Sequence, residues 1–420
     1  MKFHQRSVIV GALVVACVGA GLVSAQQSPA TAAAPPFTSN TTLSNNIPRD
    51  TIAIVGDFDN DLIDDVLWYG YGGIIDRYWK GKAGGSFTGS AIAIRGRYEP
   101  LTGDFDGDGN LDIFWYTAGT GADYIWWGSG DAGSTTVPLS DWFDAAPMAV
   151  NGSYRPLLAD FDGDNKSDIL WYAPGGVPDA FWYGRNRSGF TSRATAINGD
   201  YDYVTGGDFQ GTGDLDLIWW RVNVTRHAVW NYNGGSTRTY SNSVVDSPGI
   251  GAIPMVMKIN SDAQDDLLWY GEGGIPDAVA YGPSFARIST QISGRYAPLW
   301  GNFDGDNNGY DDVLWWGYLP AGGDSFWRGT GSSSFASVSM VGLTHYDFDT
   351  HAPLLGYFGS DEPLDVIFHD SQPGGTSAFF YGEDVDGASL SVARRETVRG
   401  RSCGPRPVRS LLQQCTSLQR

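Results

Sequence analysis

Three stretches of this 420-residue chain set aspartates at alternate positions: "DFDNDLIDD" from Asp57, "DFDGDGNLD" from Asp104 and "DFDGDNKSD" from Asp160. Counted from the first aspartate, positions 1, 3, 5 and 9 are Asp57, Asp59, Asp61 and Asp65 in the first loop. They are Asp104, Asp106, Asp108 and Asp112 in the second, and Asp160, Asp162, Asp164 and Asp168 in the third. Like charges this close repel unless a cation sits among them. Ca²⁺ takes six to eight oxygens, with carboxylates at alternate positions and a backbone carbonyl at position 7. A carbonyl ligand leaves its side chain free to vary, as Ile63, Asn110 and Lys166 do. Position 6 needs a sharp turn, which suits Gly109 and Asn165 but not Leu62. One such loop could be a solvated turn. Three with the same spacing, each entering the same kind of strand, point to structural Ca²⁺. Mg²⁺ keeps its waters and fits an all-protein cage less well.

A longer loop offers Asn302, Asp304, Asp306 and Asn308, so three to four ions are expected. Asp208, Gln210, Thr212 and Asp216 carry too little charge. Lys258 puts an ammonium where a cation would sit, and Tyr357 and Gly359 remove the ligands altogether.

The elements that must hold these loops repeat as well. Seven strand-like segments follow them: "DVLWY" (Asp65), "DIFWY" (Asp112), "DILWY" (Asp168), "DLIWW" (Asp216), "DLLWY" (Asp266), "DVLWW" (Asp312) and "DVIFH" (Asp365). Each is apolar at nearly every position, so both faces are buried. A Gly-rich turn, a second aromatic strand and a weaker fourth strand complete each unit. A doubly buried sheet repeated at a period near 45 residues predicts an all-β, seven-bladed β-propeller of four-stranded antiparallel blades over 51–393.

The net charge of −20 argues against a nucleic-acid partner, which needs a basic stripe. The basic start, apolar run and small-residue site before Gln26 read as a signal peptide over 1–25. That predicts a secreted or extracellular protein, with a periplasmic site or a surface lipid anchor at Cys17 as alternatives. No later apolar run is long enough to span a membrane. Residues 26–50 read as an Ala/Pro/Ser/Thr-rich linker. Residues 394–420, with seven arginines against one glutamate, read as a basic, disordered tail without a structural role, or as a surface-binding one. Cys403 and Cys415 lie in that tail, so the body is expected to rely on packing and metal.

The D-x-D-x-D-x-x-x-D loop between two blade strands resembles the FG-GAP and VCBS repeat propellers, including the integrin α-subunit headpiece. The resemblance covers about residues 51–393. It implies an extracellular, non-catalytic binding or adhesion module with structural Ca²⁺. The family's Phe-Gly and Gly-Ala-Pro elements are mostly replaced here by Trp-Tyr, with a trace left in "YAPGG" at Tyr172. Trp-rich propellers of this loop type include lectins.

Of the tryptophans, Trp68, Trp115, Trp171, Trp219, Trp269 and Trp315 share one column, and Trp79, Trp126, Trp182, Trp230 and Trp327 share another. Such columns read as blade-to-blade packing, while Trp127, Trp142 and Trp300 fall outside them and are the better candidates for exposed contacts. His345, Asp347, Asp349 and His351 cluster in "HYDFDTH", which reads as a surface turn. No nucleophile-elbow, zinc-protease or phosphate-loop motif occurs. A polysaccharide lyase or hydrolase nonetheless stays open as an alternative. The expected ligand is an extracellular protein or glycan. It is placed on the rim opposite the acidic loops, at Arg97, Tyr98, Arg155, Tyr203, Arg295 and Tyr296, with the alternative that each tyrosine simply braces its own turn.

Overall fold

The computed structural model describes residues 37–44, 51–134, 141–175, 177–234, 238–305, 308–317, 324–339, 351–359, 363–370 and 376–382. The signal segment, the basic tail with its two cysteines, Asp306, His345, Asp347 and Asp349 lie outside the described residues.

Among the described residues, the strands group into four-stranded antiparallel sheets. Six sheets each use four consecutive strands, over residues 51–92, 99–148, 155–195, 203–246, 253–290 and 296–339. One further sheet is composite. Its strands His351–Gly356, Asp365–Asp370 and Thr376–Gly382 are joined at the edge by Phe37–Ser44, which pairs antiparallel with the last of them. Two expectations are corrected here. Six blades, not seven, are continuous repeats of four strands. The 26–50 segment is not simply a linker, because eight of its residues supply the outer strand of the composite sheet. That strand, "FTSNTTLS", is polar and β-branched, as suits an outermost strand.

The second strand of every sheet is buried from end to end, apart from the final Asp370. Fourth strands such as Ser86–Ile92 and Phe190–Thr195 lie mostly exposed. First strands meet: that of the first sheet lies against that of the composite sheet, and the fourth against the fifth. First strands therefore lie inside and fourth strands outside.

The core sits between sheets, not within them. Ile54, Leu67 and Tyr69 pack on Ile113 and Trp115 of the next sheet. At the seam, Ala53, Val66 and Trp68 pack on Leu354 and Ile367 of the composite sheet. The six column tryptophans of the second strands are at most 1% exposed, and each except Trp269 meets a third-strand tryptophan of its own sheet, Trp171 and Trp182 edge-on at 5.5 Å. Trp127, Trp142 and Trp300, the better candidates for exposed contacts, are also buried, at 3%, 7% and 7%. Trp142, for example, closes over Tyr78 of the preceding sheet.

Backbone bonds stitch loop to loop around the array. Ser167 N donates to Asp104 O, Asp265 N to Asp208 O, Asp311 N to Lys258 O and Leu364 N to Asn302 O. The same bond runs from Asp64 N to Tyr357 O, at 2.9 Å, joining the first sheet to the composite one.

Candidate metal centre

Each acidic loop is a tight coil held by its own carboxylates. Asp104 accepts from the backbone N–H groups of Gly107, Asp108 and Gly109, at 2.7, 3.2 and 3.0 Å. Asp160 does the same for Gly163, Asp164 and Asn165. Asp57 holds Asp61 and Leu62. The coil needs left-handed backbone at two places. At position 6, Leu62, Gly109 and Asn165 have φ of 73°, 88° and 67°. Leu62 thus adopts a conformation that a branched side chain seldom takes, as its misfit in the sequence implied. At position 4, Asn60, Gly107 and Gly163 have φ of 60°, 77° and 75°. That second requirement went unread, although Asn or Gly at position 4 signals it.

Position 9 turns out differently from positions 1, 3 and 5. Asp65, Asp112 and Asp168 are at most 1% exposed. One oxygen accepts from the position-2 N–H, and the other from a glycine N–H at the end of the third strand: Gly81, Gly128 and Gly184. Asp312, in a loop of altered charge, holds Phe303 N and Gly329 N in the same way, and Asp216, in a loop with little charge, holds the third-strand Tyr232 N through one oxygen. The ninth aspartate is therefore first a clamp between the loop and the third strand. Burial pushes Asp65, Asp112 and Asp168 up to about 8.

Carboxylates of positions 1, 3 and 5 converge in the first two loops, and those of positions 1, 3 and 9 in the third. Oxygens of Asp57, Asp59 and Asp61 lie within 4.8 Å of one another, as do those of Asp104, Asp106 and Asp108, and those of Asp160, Asp162 and Asp168. Burial raises Asp57, Asp104, Asp106, Asp160 and Asp162 above the usual carboxylate range, and the neighbouring acids add to the rise. Asp59 and Asp162 keep 7% and 2% of their side chains exposed, and each has one oxygen, Oδ1, buried without a hydrogen-bond partner. An orphaned carboxylate oxygen inside an acidic coil fits a hard cation, which would supply the missing partner. Asp164 instead pairs with Lys166 at 2.7 Å. Ile63 is buried, and Asn110 accepts from Asn60 in the neighbouring loop. In the longer loop, Asn302 accepts from Gly305 N, Asp304 is 1% exposed and pairs with Arg328, and Asn308 donates to Gly329 O.

The opposite rim carries the turns between second and third strands and the connections between sheets, which bond to each other through pairs such as Gly119 and Gly152. Its Gly-x-Tyr turns are internally braced. Tyr69 donates to Gly96 O and accepts from Tyr98 N, and Tyr116, Tyr172 and Tyr270 treat Gly152/Tyr154, Gly199/Tyr201 and Gly294/Tyr296 alike. Gly96 has φ of 123°, and a Cβ there would sit 2.3 Å from the Tyr98 ring. Tyr98 and Tyr296 therefore shape their own turns. Tyr203 is not their counterpart: Tyr201 is, while Tyr203 stacks on Trp220 at 4.6 Å. Arg155 donates to Tyr201 O, Arg295 pairs with Glu272, and Arg97 stands exposed beside Gly72 and Tyr71. A further clamp that sequence reasoning missed is the aspartate opening the third strand. Asp76, Asp123, Asp179 and Asp277 each bridge two backbone N–H groups across this rim, as Asp179 does for Ala173 and Ile197.

Four-stranded antiparallel sheets packed face to face around inner first strands, with acidic coils on one rim, define a β-propeller. The kind of propeller follows from the repeat. The family model described as "FG-GAP-like repeat" matches residues 104–171, which run from the second acidic loop to the strand after the third. The chain is a β-propeller that carries an FG-GAP-like repeat over residues 104–171. No curated protein matches it by sequence. Similar solved structures include BBS1N in complex with ARL6DN, from a mercury-soaked crystal, which is 8% identical with a TM-score of 0.49 over 84% of this chain and 97% of that one. AofleA from Arthrobotrys oligospora is 12% identical with a TM-score of 0.39, over 72% and 90% of the two chains. Among the described residues, no helix is long and apolar enough to cross a membrane.

Proposed function

We propose that the chain is a secreted, seven-bladed propeller stabilised by Ca²⁺ that serves as a non-catalytic binding or adhesion module for an extracellular protein or glycan. The composite sheet is the seventh blade. The observation that carries the metal reading is the pair of buried, unpartnered oxygens on Asp59 and Asp162, in two coils of like sequence. Sites of this extracellular kind bind on the order of 10⁻⁴ to 10⁻³ M. At a hundredfold excess over the dissociation constant, binding to the folded state stabilises it by about 2.7 kcal/mol. Chelation with EDTA should lower the melting temperature and Ca²⁺ should restore it. A melting curve indifferent to both rejects the metal reading.

The ligand belongs on the rim away from the acidic coils. Arg97, Tyr71, Ile75, Val177 and Ile250 are exposed there, and the turns beneath them are braced independently of any ion. Arg97 is the favoured anchor, because Arg155 and Arg295 already have partners. A lectin reading is favoured by Tyr71 and Tyr124, exposed aromatics at the junction of the first two sheets, where a sugar ring could stack. A glycan and protein binding screen tests both readings. Arg97→Glu should weaken capture of whatever binds, at an unchanged melting temperature. Normal capture by that variant, with loss on substituting the acidic rim, would reverse the assignment of faces.

A further inference from the structure

The first, second, third, fifth and sixth coils each hold a basic group of the chain itself. In the fifth loop, Lys258 replaces the first aspartate, and its Nζ donates to the carbonyls of Asp262 and Gln264, positions 5 and 7 of the coil. The ammonium stands against the position-7 carbonyl that a Ca²⁺ ion would use. In the first loop, Lys80 pairs with Asp59 and Asp61. The second and third loops receive an arginine from the next sheet. Arg187, in the turn 185–189 of the third sheet, reaches back to the second loop. Its Nε lies 3.0 Å from Asp106, and its Nη2 lies 2.9 Å from Asp108 and donates to Gly128 O at 2.7 Å. Its Nη1 lies 3.0 Å from Asp144. Arg238, from the fourth sheet, pairs with Asp162 at 2.5 Å and lies over the Tyr183 ring at 4.3 Å.

These resident cations are not equivalent. Around Arg187, Asp106 is fully engaged: one oxygen takes Asp108 N and the other takes the guanidinium. A planar fork with four bonds, three of them to carboxylates, is a demanding group to displace. In the first and third loops, Lys80 and Arg238 leave Asp59 Oδ1 and Asp162 Oδ1 buried and unpaired. Lys80 is a point charge on a flexible stem, free to turn to water.

We propose, resting on the Ca²⁺ reading above, that Arg187 is an affinity-determining residue that acts as an internal counter-cation. It closes the second loop, so that the first and third loops load first. The expected stoichiometry is then two ions at the tighter affinity, with a weaker site at the second loop, instead of three equal ones. The fifth loop, filled by Lys258, takes none.

Calorimetric titration of the chelator-stripped mature chain with Ca²⁺ tests this. The unmodified chain should bind two equivalents in its tighter phase. Arg187→Gln should bind three, with affinity at the second loop tighter by roughly tenfold or more. Arg187→Lys, which retains the charge without the fork, should fall between. Adding Asp106→Asn to Arg187→Gln should remove the gained site, and near-UV circular dichroism should show all variants folded. Ca²⁺ should also speed hydrogen exchange in the 185–189 turn of the unmodified chain at concentrations that fill the second loop. Two equivalents with unchanged affinity in both Arg187 variants would overturn the role of Arg187 while leaving the Ca²⁺ reading standing. No uptake by any variant would overturn both.

Discussion

At the scale of single residues, the decisive contrasts are between charges that have been given partners and groups that have not. His227 is the clearest of the second kind. It is 2% exposed, both ring nitrogens lack a hydrogen-bond partner among the described residues, and the ring stacks on Trp269 at 5.3 Å. Burial lowers its pKa to about 4, outweighing the pull of Asp246. The native imidazole therefore stays neutral down to about pH 4, whereas the unfolded one takes up a proton near 6.5. Between these values the unfolded state binds more protons, so this residue's contribution to stability falls as pH drops from about 6.5 to 4. Asp277 has the opposite sign. Burial raises it to about 6, so its contribution is present below the unfolded carboxylate value and is lost as pH rises through about 6. His227→Phe keeps the stacked ring and removes the titration. Its advantage over the unmodified chain should be small at pH 7.5 and grow to about 3 kcal/mol near pH 4, by the conversion of 1.36 kcal/mol per pKa unit. Urea unfolding of both proteins across that range measures it, and a constant difference at every pH would show that His227 does not titrate as described.

At the scale of the element, each blade is a strand quartet, and three clamps recur among the blades without all three occurring in each. Trp220, Trp316 and His369 stand where four sheets have the bracing tyrosine. The clamps differ in how far the sequence exposed them. The second strands were legible because a run of about four apolar residues after an aspartate has one reading in a sheet covered on both faces. The acidic coils were legible from carboxylate spacing, but the role of position 9 was not. Asp65 and Asp216 look the same in sequence, and only the third-strand N–H that each accepts, Gly81 N and Tyr232 N, shows that this aspartate serves loops with and without an ion-binding set. Lys80, Arg187, Arg238 and Arg328 were not foreseen as partners of the coils. Two of them come from a neighbouring sheet, and no periodicity within a repeat reveals a contact between repeats. The tyrosine clamp gives a direct test. Tyr116→Phe removes the hydroxyl that accepts from Tyr154 N at 2.8 Å and donates to Gly152 O at 2.9 Å, leaving Tyr154 N without that acceptor, while Gly152 O keeps its bond from Gly119 N. A loss of about 1–3 kcal/mol is expected. The Ca²⁺ response should be unaltered, because the hydroxyl lies on the other rim. A Tyr116→Phe protein that melts normally would mean that water replaces the hydroxyl at no cost.

At the scale of the whole molecule, the question is what closes the array. The repeat period announced a ring, but nothing in "FTSNTTLS" announces an eight-residue edge strand. It is polar and Thr-rich, and it precedes the first recognisable repeat by seven residues. Its assignment depends on the partner strand Thr376–Gly382, more than three hundred residues away, against which Thr42 faces Ala378 and Ser44 faces Thr376. Once paired there, it ties the first described strand to the last described sheet. Apolar contact at the seam and the paired bonds between Asp64 and Tyr357 then hold first and last sheets together, Asp64 Oδ2 accepting from Tyr357 N at 2.8 Å. Asp265 and Asp208 make the same paired bonds between the fourth and fifth sheets, where the chain is already continuous. The comparison isolates the value of closure. Asp265→Ala and Asp64→Ala each strand one backbone N–H and should each cost about 1–3 kcal/mol. Deleting Phe37–Ser44 removes the tie itself and uncovers a strand edge of unpaired donors and acceptors, which invites pairing with another chain. The deletion should therefore lower the melting temperature by more than either substitution, speed unfolding, and produce self-association that grows with concentration in sedimentation velocity. A deletion protein that stays monomeric and melts with the unmodified chain would show that the seam holds by side-chain packing alone.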